Sequence, residues 1–502
     1  MIASVTRSAN YKWWAFWAIA IGTFASVVDH GSVNIALPTI AQYFHTDLPS
    51  VQWVVIGFAL TISALLLPLG RLSDLIGLKR VYLFGSVVFI IGAVLAGFAA
   101  NLPMLIVARL VQGSGAAMTQ GTGMAIIAGA FPASERGKAI GFSMSIVGVG
   151  AIAGPAVGGM LVDALGWRSV FLANIPLVGL GIATGLAFLD RGQETLTLTK
   201  PTESAQTRRG RFDWLGTALS TGALLTFLLA VTNGHRSGWD SPPIIGAMLA
   251  FGGLLGAFVW WELHYASPLL DLRLFKSRTF SFGISAAYLT FLGAASVLFL
   301  TPFYLQQVLD YSPRQAGLVV VPGAICMALL GQLSGRLSDR YGWRIFTVGG
   351  LACSALGLLL FSRVTADSSL LLVLPALMLH SCGMGIFYSP NSSSVLSSVP
   401  REKYGVVSAF LNLVRNAGNV SSVAVATAIV TATMASMGYE PSLDAVRGGG
   451  AGVGLAFTQG LRYAFLTLMG LVLAALAISA LARNDPTAKL VEPQLSQRRS
   501  SR

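Results

Sequence analysis

Apolar runs of about twenty residues, separated by short polar connections, recur along the whole chain. About twenty residues, rising roughly 1.5 Å each as an α-helix, cross the hydrocarbon core of a bilayer. Fourteen segments meet that requirement: Trp14–Leu37, Val51–Leu69, Arg80–Ala100, Met104–Ala128, Ala139–Leu161, Val170–Leu189, Trp214–Val231, Pro243–Leu263, Ser281–Leu305, Gln315–Leu333, Ile345–Phe361, Leu370–Tyr388, Gly405–Ala432 and Leu461–Leu481. The longest internal polar stretch, Arg191–Arg211, follows the sixth of them and reads as a linker. The pattern predicts an all-α membrane protein with a six-helix bundle over 1–189 and a linker over 190–213. Two extra helices follow over 214–263, then a second six-helix bundle over 264–482 and a polar tail over 483–502.

Composition supports that class. Charged residues make up 11% of the chain, against about 25% in a soluble domain, so there are too few to coat a water-facing surface. Mean hydropathy is +0.71. The first apolar run is too long for a secretory leader and lacks a small-residue cleavage pattern, so it reads as an uncleaved first span. The net charge of +13 raises the question of nucleic acid, and its distribution answers it. Sorting the Lys and Arg residues by connection puts the large majority on the side that holds both termini. Basic residues favour the cytoplasmic side of a membrane, so both termini are expected inside, in a cytoplasmic (inner) membrane, with the basic excess facing anionic lipid. Arg109 and Arg415 fall inside spans. Cys326, Cys353 and Cys382 lie in apolar runs without paired spacing, so neither a disulfide framework nor a metal site is indicated.

Within this pattern there is a repeat. Gly70-Arg71-Leu72-Ser73-Asp74-Leu75-Ile76-Gly77 and Gly335-Arg336-Leu337-Ser338-Asp339-Arg340-Tyr341-Gly342 share six of eight positions, each after the second helix of a six-helix block. Two pseudo-repeated halves follow, and such repeats place a substrate site between them. Three further motifs stand inside helices: Arg109-Leu110-Val111-Gln112-Gly113-Ser114-Gly115 in the fourth, Gly150-Ala151-Ile152-Ala153-Gly154-Pro155-Ala156-Val157-Gly158-Gly159 in the fifth, and Asp29-His30-Gly31-Ser32-Val33-Asn34-Ile35-Ala36-Leu37-Pro38 at the end of the first. An ionisable residue within a span is costly and marks function. Glycines four apart form a flat face for close helix packing.

Together these four motifs make the chain resemble the major facilitator superfamily, in its fourteen-helix drug:proton antiporter branch (family 2, the multidrug efflux type). The resemblance implies the major facilitator fold with a six, two, six arrangement. It implies that Gly70, Arg71, Asp74, Gly77 and Arg80, with Asp339 in the second copy, form a conformational latch, Asp74 docking near Tyr404 and Gly405. Leu78 stands where the family often carries a basic residue. It implies that Arg109 serves proton transfer; Asp29, an acid within a span, and the neighbouring His30, whose ordinary pKa is near neutral, are expected to share in proton coupling. Gly150, Gly154, Pro155, Gly158 and Gly159 form the antiporter helix. The expected substrate path is lined by Asn34, Trp53, Gln112, Tyr304, Gln307, Arg415 and Asn416.

Asp29 carries the sharpest expectation. Burial favours the neutral form of a carboxyl, so this acid can take a proton at one face and lose it at the other. When ionised it can attract a cationic cargo. No acid lies deep in the ninth to fourteenth helices, which leaves Asp29 unaccompanied. No phosphate-binding loop and no hydrolase motif is present, so neither an enzyme nor any cofactor is expected. The function expected is proton-coupled export of amphipathic or cationic small molecules. The alternatives are export of a specific metabolite, antibiotic, peptide or lipid, and a non-transporting sensor. Expected partners are a small-molecule substrate, protons and the lipid bilayer, with no nucleic acid. The chain is expected to be a monomer, with a periplasmic adaptor only if the host has an outer membrane.

Overall fold

Lipid offers no hydrogen bonds to a bare backbone, so a chain of this pattern satisfies its amides internally as helices. The computed structural model describes residues 11–131, 135–189, 213–238, 240–265, 271–400, 404–439 and 451–482. Among these residues, fourteen helices are long and apolar enough to cross a membrane. They are α1 (Tyr11–Tyr43), α2 (Trp53–Ile76), α3 (Leu78–Gly97), α4 (Leu102–Ala130), α5 (Arg136–Leu165), α6 (Asn174–Phe188), α7 (Trp214–Ser237), α8 (Pro242–His264), α9 (Arg278–Ala294), α10 (Pro313–Tyr341), α11 (Trp343–Phe361), α12 (Leu370–Ser397), α13 (Tyr404–Ser436) and α14 (Ala451–Leu481). α9 continues through Ser296–Phe303 and a π-helical turn at Tyr304–Val308, and α6 is preceded by a short helix at Arg168–Leu172. The linker and the tail expected from sequence lie outside the described residues.

Three boundaries differ from expectation. α1 does not end at Leu37. It runs on to Tyr43 with Pro38 inside it, so Asp29 sits within a continuous helix rather than near a break. α14 starts at Ala451 rather than Leu461. The repeated motif is helical for most of its length rather than a loop. α2 and α10 each carry it to their last turn and stop at Gly77 and Gly342. Those two glycines adopt φ of 102° and 88°, a region closed to most L-residues. Each donates its amide to the serine four residues back, Gly77 to Ser73 at 3.0 Å and Gly342 to Ser338 at 2.9 Å. Each serine in turn donates to a glycine carbonyl, Ser73 to Gly70 and Ser338 to Gly335. The sequence repeat is thus a repeat of backbone geometry.

Successive helices run in opposite directions, so α1 begins and α14 ends on one side, called here the terminal end. The other side is the far end. At the far end one apolar cluster crosses between the first six helices and the last six. It takes in Val33, Leu37 and Ile40 of α1, Val54 and Ile56 of α2, Phe299, Phe303 and Leu305 of the α9 extension, Ala316 and Val320 of α10, and Val420 and Val430 of α13. Nearer the terminal end, the buried clusters each stay within one half. Phe16, Ile19, Tyr82 and Phe131 belong to the first half. Phe280, Ile284, Val395 and Val407 belong to the second. Among the described residues the halves are therefore joined at the far end and share no buried apolar core at the terminal end. Two polar links reinforce the join: Gln306 Nε2 donates to the Ile35 carbonyl at 2.9 Å, and Gln42 Nε2 reaches Gln307 Oε1 at 3.5 Å.

α5 packs on two partners through different glycines. Methyl groups added at Gly150, Gly154 and Gly158 would meet α1, at Val27, the Val28 carbonyl and Ser32. Ser32 Oγ donates to the Gly154 carbonyl at 2.8 Å across this contact. One at Gly159 would lie 2.5 Å from the Pro313 carbonyl at the start of α10, and one at Gly317 would lie 2.3 Å from the Pro155 carbonyl. The motif thus locks α5 to α1 within the first half and lays it against α10 of the second. α7 packs against both α2 and α13, bridging the halves, while α8 packs chiefly on α7. Only Ile244 and Glu262 of α8 are buried.

Gly158→Val would drive its side chain into Ser32, whose Cα lies 2.4 Å from the added carbon, and is expected to lower stability by about 1–3 kcal/mol. Gly179→Ala, which meets nothing within 4 Å, is expected to leave it unchanged. Thermal unfolding in detergent checks both.

Candidate functional site

Four helices of the first half converge on Asp29. Its side chain is fully buried, as is that of Arg109. Arg109 Nη1 donates to Asp29 Oδ2 at 2.8 Å and to Gln112 Oε1 at 2.6 Å, and Nε donates to the Val54 carbonyl at 3.0 Å. Gln112 Nε2 donates to Asp29 Oδ1 at 3.0 Å, and Asn174 Nδ2 donates to the same oxygen at 2.7 Å. The aspartate accepts from three side chains on two helices. Phe58 of α2 lies with its ring 4.1 Å from the guanidinium carbon, a cation–π contact. Arg109 Nη2 is buried without a hydrogen-bond partner among the described residues.

Local sequence explains the assembly. Arg109 and Gln112 are three apart and share a face of α4. The glycines that follow bring α4 close to both neighbours. A methyl on Gly113 would lie 2.8 Å from the Phe58 carbonyl of α2, and one on Gly115 would lie 2.4 Å from the Phe89 amide of α3. That approach sets Phe58 over the arginine. Asn174 is the first residue of α6, and it is anchored by a second bond to the Val170 carbonyl at 3.2 Å.

The electrostatics follow from burial. Taking two charges out of water costs several kcal/mol each, which only good geometry and full hydrogen bonding recover. Here the carboxylate is neutralised by Arg109 and held by two neutral amides. The cluster thus ties α1, α4 and α6 together through one buried ion pair and its amide bonds.

His30 is next in sequence but turned away. It is half-buried, and it lies within electrostatic reach of Arg109 and Asp29 on one side and of Arg415 in α13 on the other. It stands at the seam between halves. His380, by contrast, is buried against Ser354 Oγ at 3.1 Å within the second half.

Three comparisons bear on identity. The family model described as Major Facilitator Superfamily matches residues 19–423. The chain belongs to the major facilitator superfamily. Riboflavin transporter RibZ of Clostridioides difficile is 35% identical over 81% of this chain and 85% of its own length. Multidrug resistance protein Stp of Mycobacterium tuberculosis is 32% identical over 85% of this chain and 77% of its own. A bacterial homologue of the human lysosomal transporter Spinster, in an inward-facing and unoccupied conformation, superimposes with a TM-score of 0.66 at 18% identity, covering 95% of this chain and 100% of that one. The chain is a multi-pass membrane transporter with the all-α fold of that superfamily, whose members are not enzymes.

Several residues expected at the site stand elsewhere. Asp29 is paired with Arg109, two residues that the sequence offered for the same role without placing them in contact. Gln112 is fully buried in the Asp29 cluster rather than lining a substrate path. Tyr304 and Gln307 belong to the far-end join: the Tyr304 hydroxyl donates to the Thr365 carbonyl at 2.8 Å, and Gln307 meets Gln42. Asn34 is buried with Oδ1 unpartnered, and Asn416 has a buried unpartnered Nδ2, both among the described residues. Trp53 is half-buried against the far-end core. The side chains of Arg71, Asp74 and Asp339, and with them the docking expected near Tyr404 and Gly405, lie outside the described residues; Tyr404 itself is exposed at the start of α13. Arg80 is exposed at the start of α3.

Asn174 was not expected at the site: it stands in the stretch Phe171-Leu172-Ala173-Asn174-Ile175-Pro176, and an asparagine at the head of a helix reads as a cap.

Removing one partner of a buried pair strands the other charge. Arg109→Gln is expected to destabilise the protein by about 3–5 kcal/mol, and adding Asp29→Asn is expected to restore much of it. Equal unfolding temperatures for the single and double variants would contradict the pairing.

Proposed function

We propose that this transporter is a proton-coupled antiporter of the cytoplasmic membrane that exports amphipathic small molecules by alternating access. The observation that carries the reading is the sealed Asp29–Arg109 pair, one residue from His30 at the seam of two halves that are joined at one end.

In this reading both termini are cytoplasmic, as the basic residues direct, so the terminal end faces the cytoplasm and admits cargo. The six-helix bundles over 1–189 and 264–482 rock about the α5–α10 contact. The repeated motifs carrying Asp74 and Asp339 close the terminal end in the opposite state. Protonation of Asp29 releases Arg109 and Gln112 from α1, and reionisation recaptures them, so the packing of α1 on α4 alternates with the proton. His30 carries the proton between Asp29 and the seam. One proton moving through 100 mV supplies about 2.3 kcal/mol. At roughly 1.4 kcal/mol per decade, that sustains about a 40-fold cargo gradient.

Similarity to Stp, named a multidrug resistance protein, supports export of foreign compounds. Similarity to RibZ, named a riboflavin transporter, favours a second reading in which the cargo is one specific metabolite. A growth screen of an expressing, pump-deficient host against many toxic compounds separates the two.

Asp29→Asn is expected to abolish cargo-driven proton movement in inverted vesicles while the protein still inserts. Undiminished coupling in that variant would move the proton carrier elsewhere and sink the proposal.

A further inference from the structure

The charges inside the helices do not sum to a site for cations. Among the described residues, Asp29 is the one acid deep within a span. The other acids on these helices, Asp74, Asp163, Glu262 and Asp339, stand near helix ends. Asp29 is fully committed, with its carboxylate facing Arg109, Gln112 and Asn174. The second buried-helix arginine has no such partner. Arg415, half-buried in α13, makes no ion pair among the described residues, and its one side-chain hydrogen bond there is a long one, 3.4 Å from Nη1 to the Tyr388 hydroxyl. Among the described residues, pairing Asp29 with Arg109 therefore leaves Arg415 within its helix without a counter-charge.

The surroundings of that charge fit a flat acidic molecule. Tyr388 is half-buried and meets the ring of Phe291 edge-on, with centroids 5.8 Å apart, which gives a planar ring something to stack on. Its hydroxyl proton and the spare guanidinium hydrogens of Arg415 are donors. His30, on the first half, lies within electrostatic reach of Arg415. A half-buried arginine without a carboxylate repels cations and gains a charge-assisted hydrogen bond by binding a carboxylate, sulfonate or phosphate.

We infer that the seam binds anionic aromatic amphiphiles, with Arg415 as the residue that holds the acidic group and Tyr388 and Phe291 as the platform for the ring. The inference deepens the proposed function and rests on the seam being the cargo route. It replaces the cationic cargo expected from sequence, because the acid that would have attracted a cation is already neutralised.

The test uses two xanthene dyes of like shape and opposite charge, fluorescein and rhodamine 123. Each is bound to the purified full chain in neutral detergent and followed by fluorescence anisotropy. Fluorescein is expected to bind at least tenfold tighter than rhodamine 123. Arg415→Gln is expected to weaken fluorescein at least tenfold, the loss of a charge-assisted bond, while Arg415→Lys keeps most of the preference and shows that the fold survives. Rhodamine 123 binding as tightly as fluorescein, no measurable fluorescein binding, or fluorescein binding unchanged in Arg415→Gln would each overturn the inference. Because binding is measured at equilibrium without a proton gradient, a chain that holds fluorescein yet shows undiminished coupling in Asp29→Asn loses the proposed mechanism and keeps this site.

Discussion

An aspartate and an arginine held together away from water set the terms for the first half of this molecule. Neither charge is tolerable there alone, so α1 and α4 must stay in register to within a hydrogen bond, and α2 and α6 must supply the Val54 carbonyl and Asn174 to finish the shell. The glycines of the fourth helix serve that end. Gly113 and Gly115 bring α4 against α2 and α3, which leaves no room for water around the guanidinium and places Phe58 on its face. The charge pair that is costly to bury is also the one that organises the helices around it.

The second constraint is the unequal join of the halves. A shared apolar core at the far end, with Gln306 and Gln307 bonded to α1, holds the two bundles together where their buried clusters merge. Toward the terminal end the clusters separate. α5 carries both relationships, since Gly150, Gly154 and Gly158 fasten it to α1 while Pro155 and Gly159 lie against α10. α1, which carries Asp29, is thus in continuous packed contact through this glycine face with the interface to the second half.

Much of this was legible from the residues. Hydropathy located the fourteen helices because lipid forces a backbone into them. The repeated Gly-Arg-Leu-Ser-Asp motif revealed the two halves because each copy needs the same left-handed glycine to end a helix. Asp29 and Arg109 stood out because charge in a span is expensive. What the sequence hid was partnership. Nothing in the chain order says that residues 29, 109, 112 and 174 meet, so the acid read as solitary and its arginine as a separate device. Gln112, Tyr304 and Gln307 read as substrate contacts, since a polar residue in a span looks the same whether it faces cargo or another polar residue. Helix ends failed where polar residues continue a helix, as at Tyr43 and Tyr341, because hydropathy marks the membrane rather than the end of the helix.

The central claim is that the proton state of Asp29 decides which end of the bundle is open. Spin labels at Ile76 and Tyr404, both exposed at the terminal end on opposite halves, report that opening as an inter-label distance measured by pulsed electron resonance. Acidification is expected to shift the distance distribution in the native chain and to leave it fixed in one form when Asp29 is replaced by Asn. A distribution that still moves with pH in the Asn variant would contradict the account.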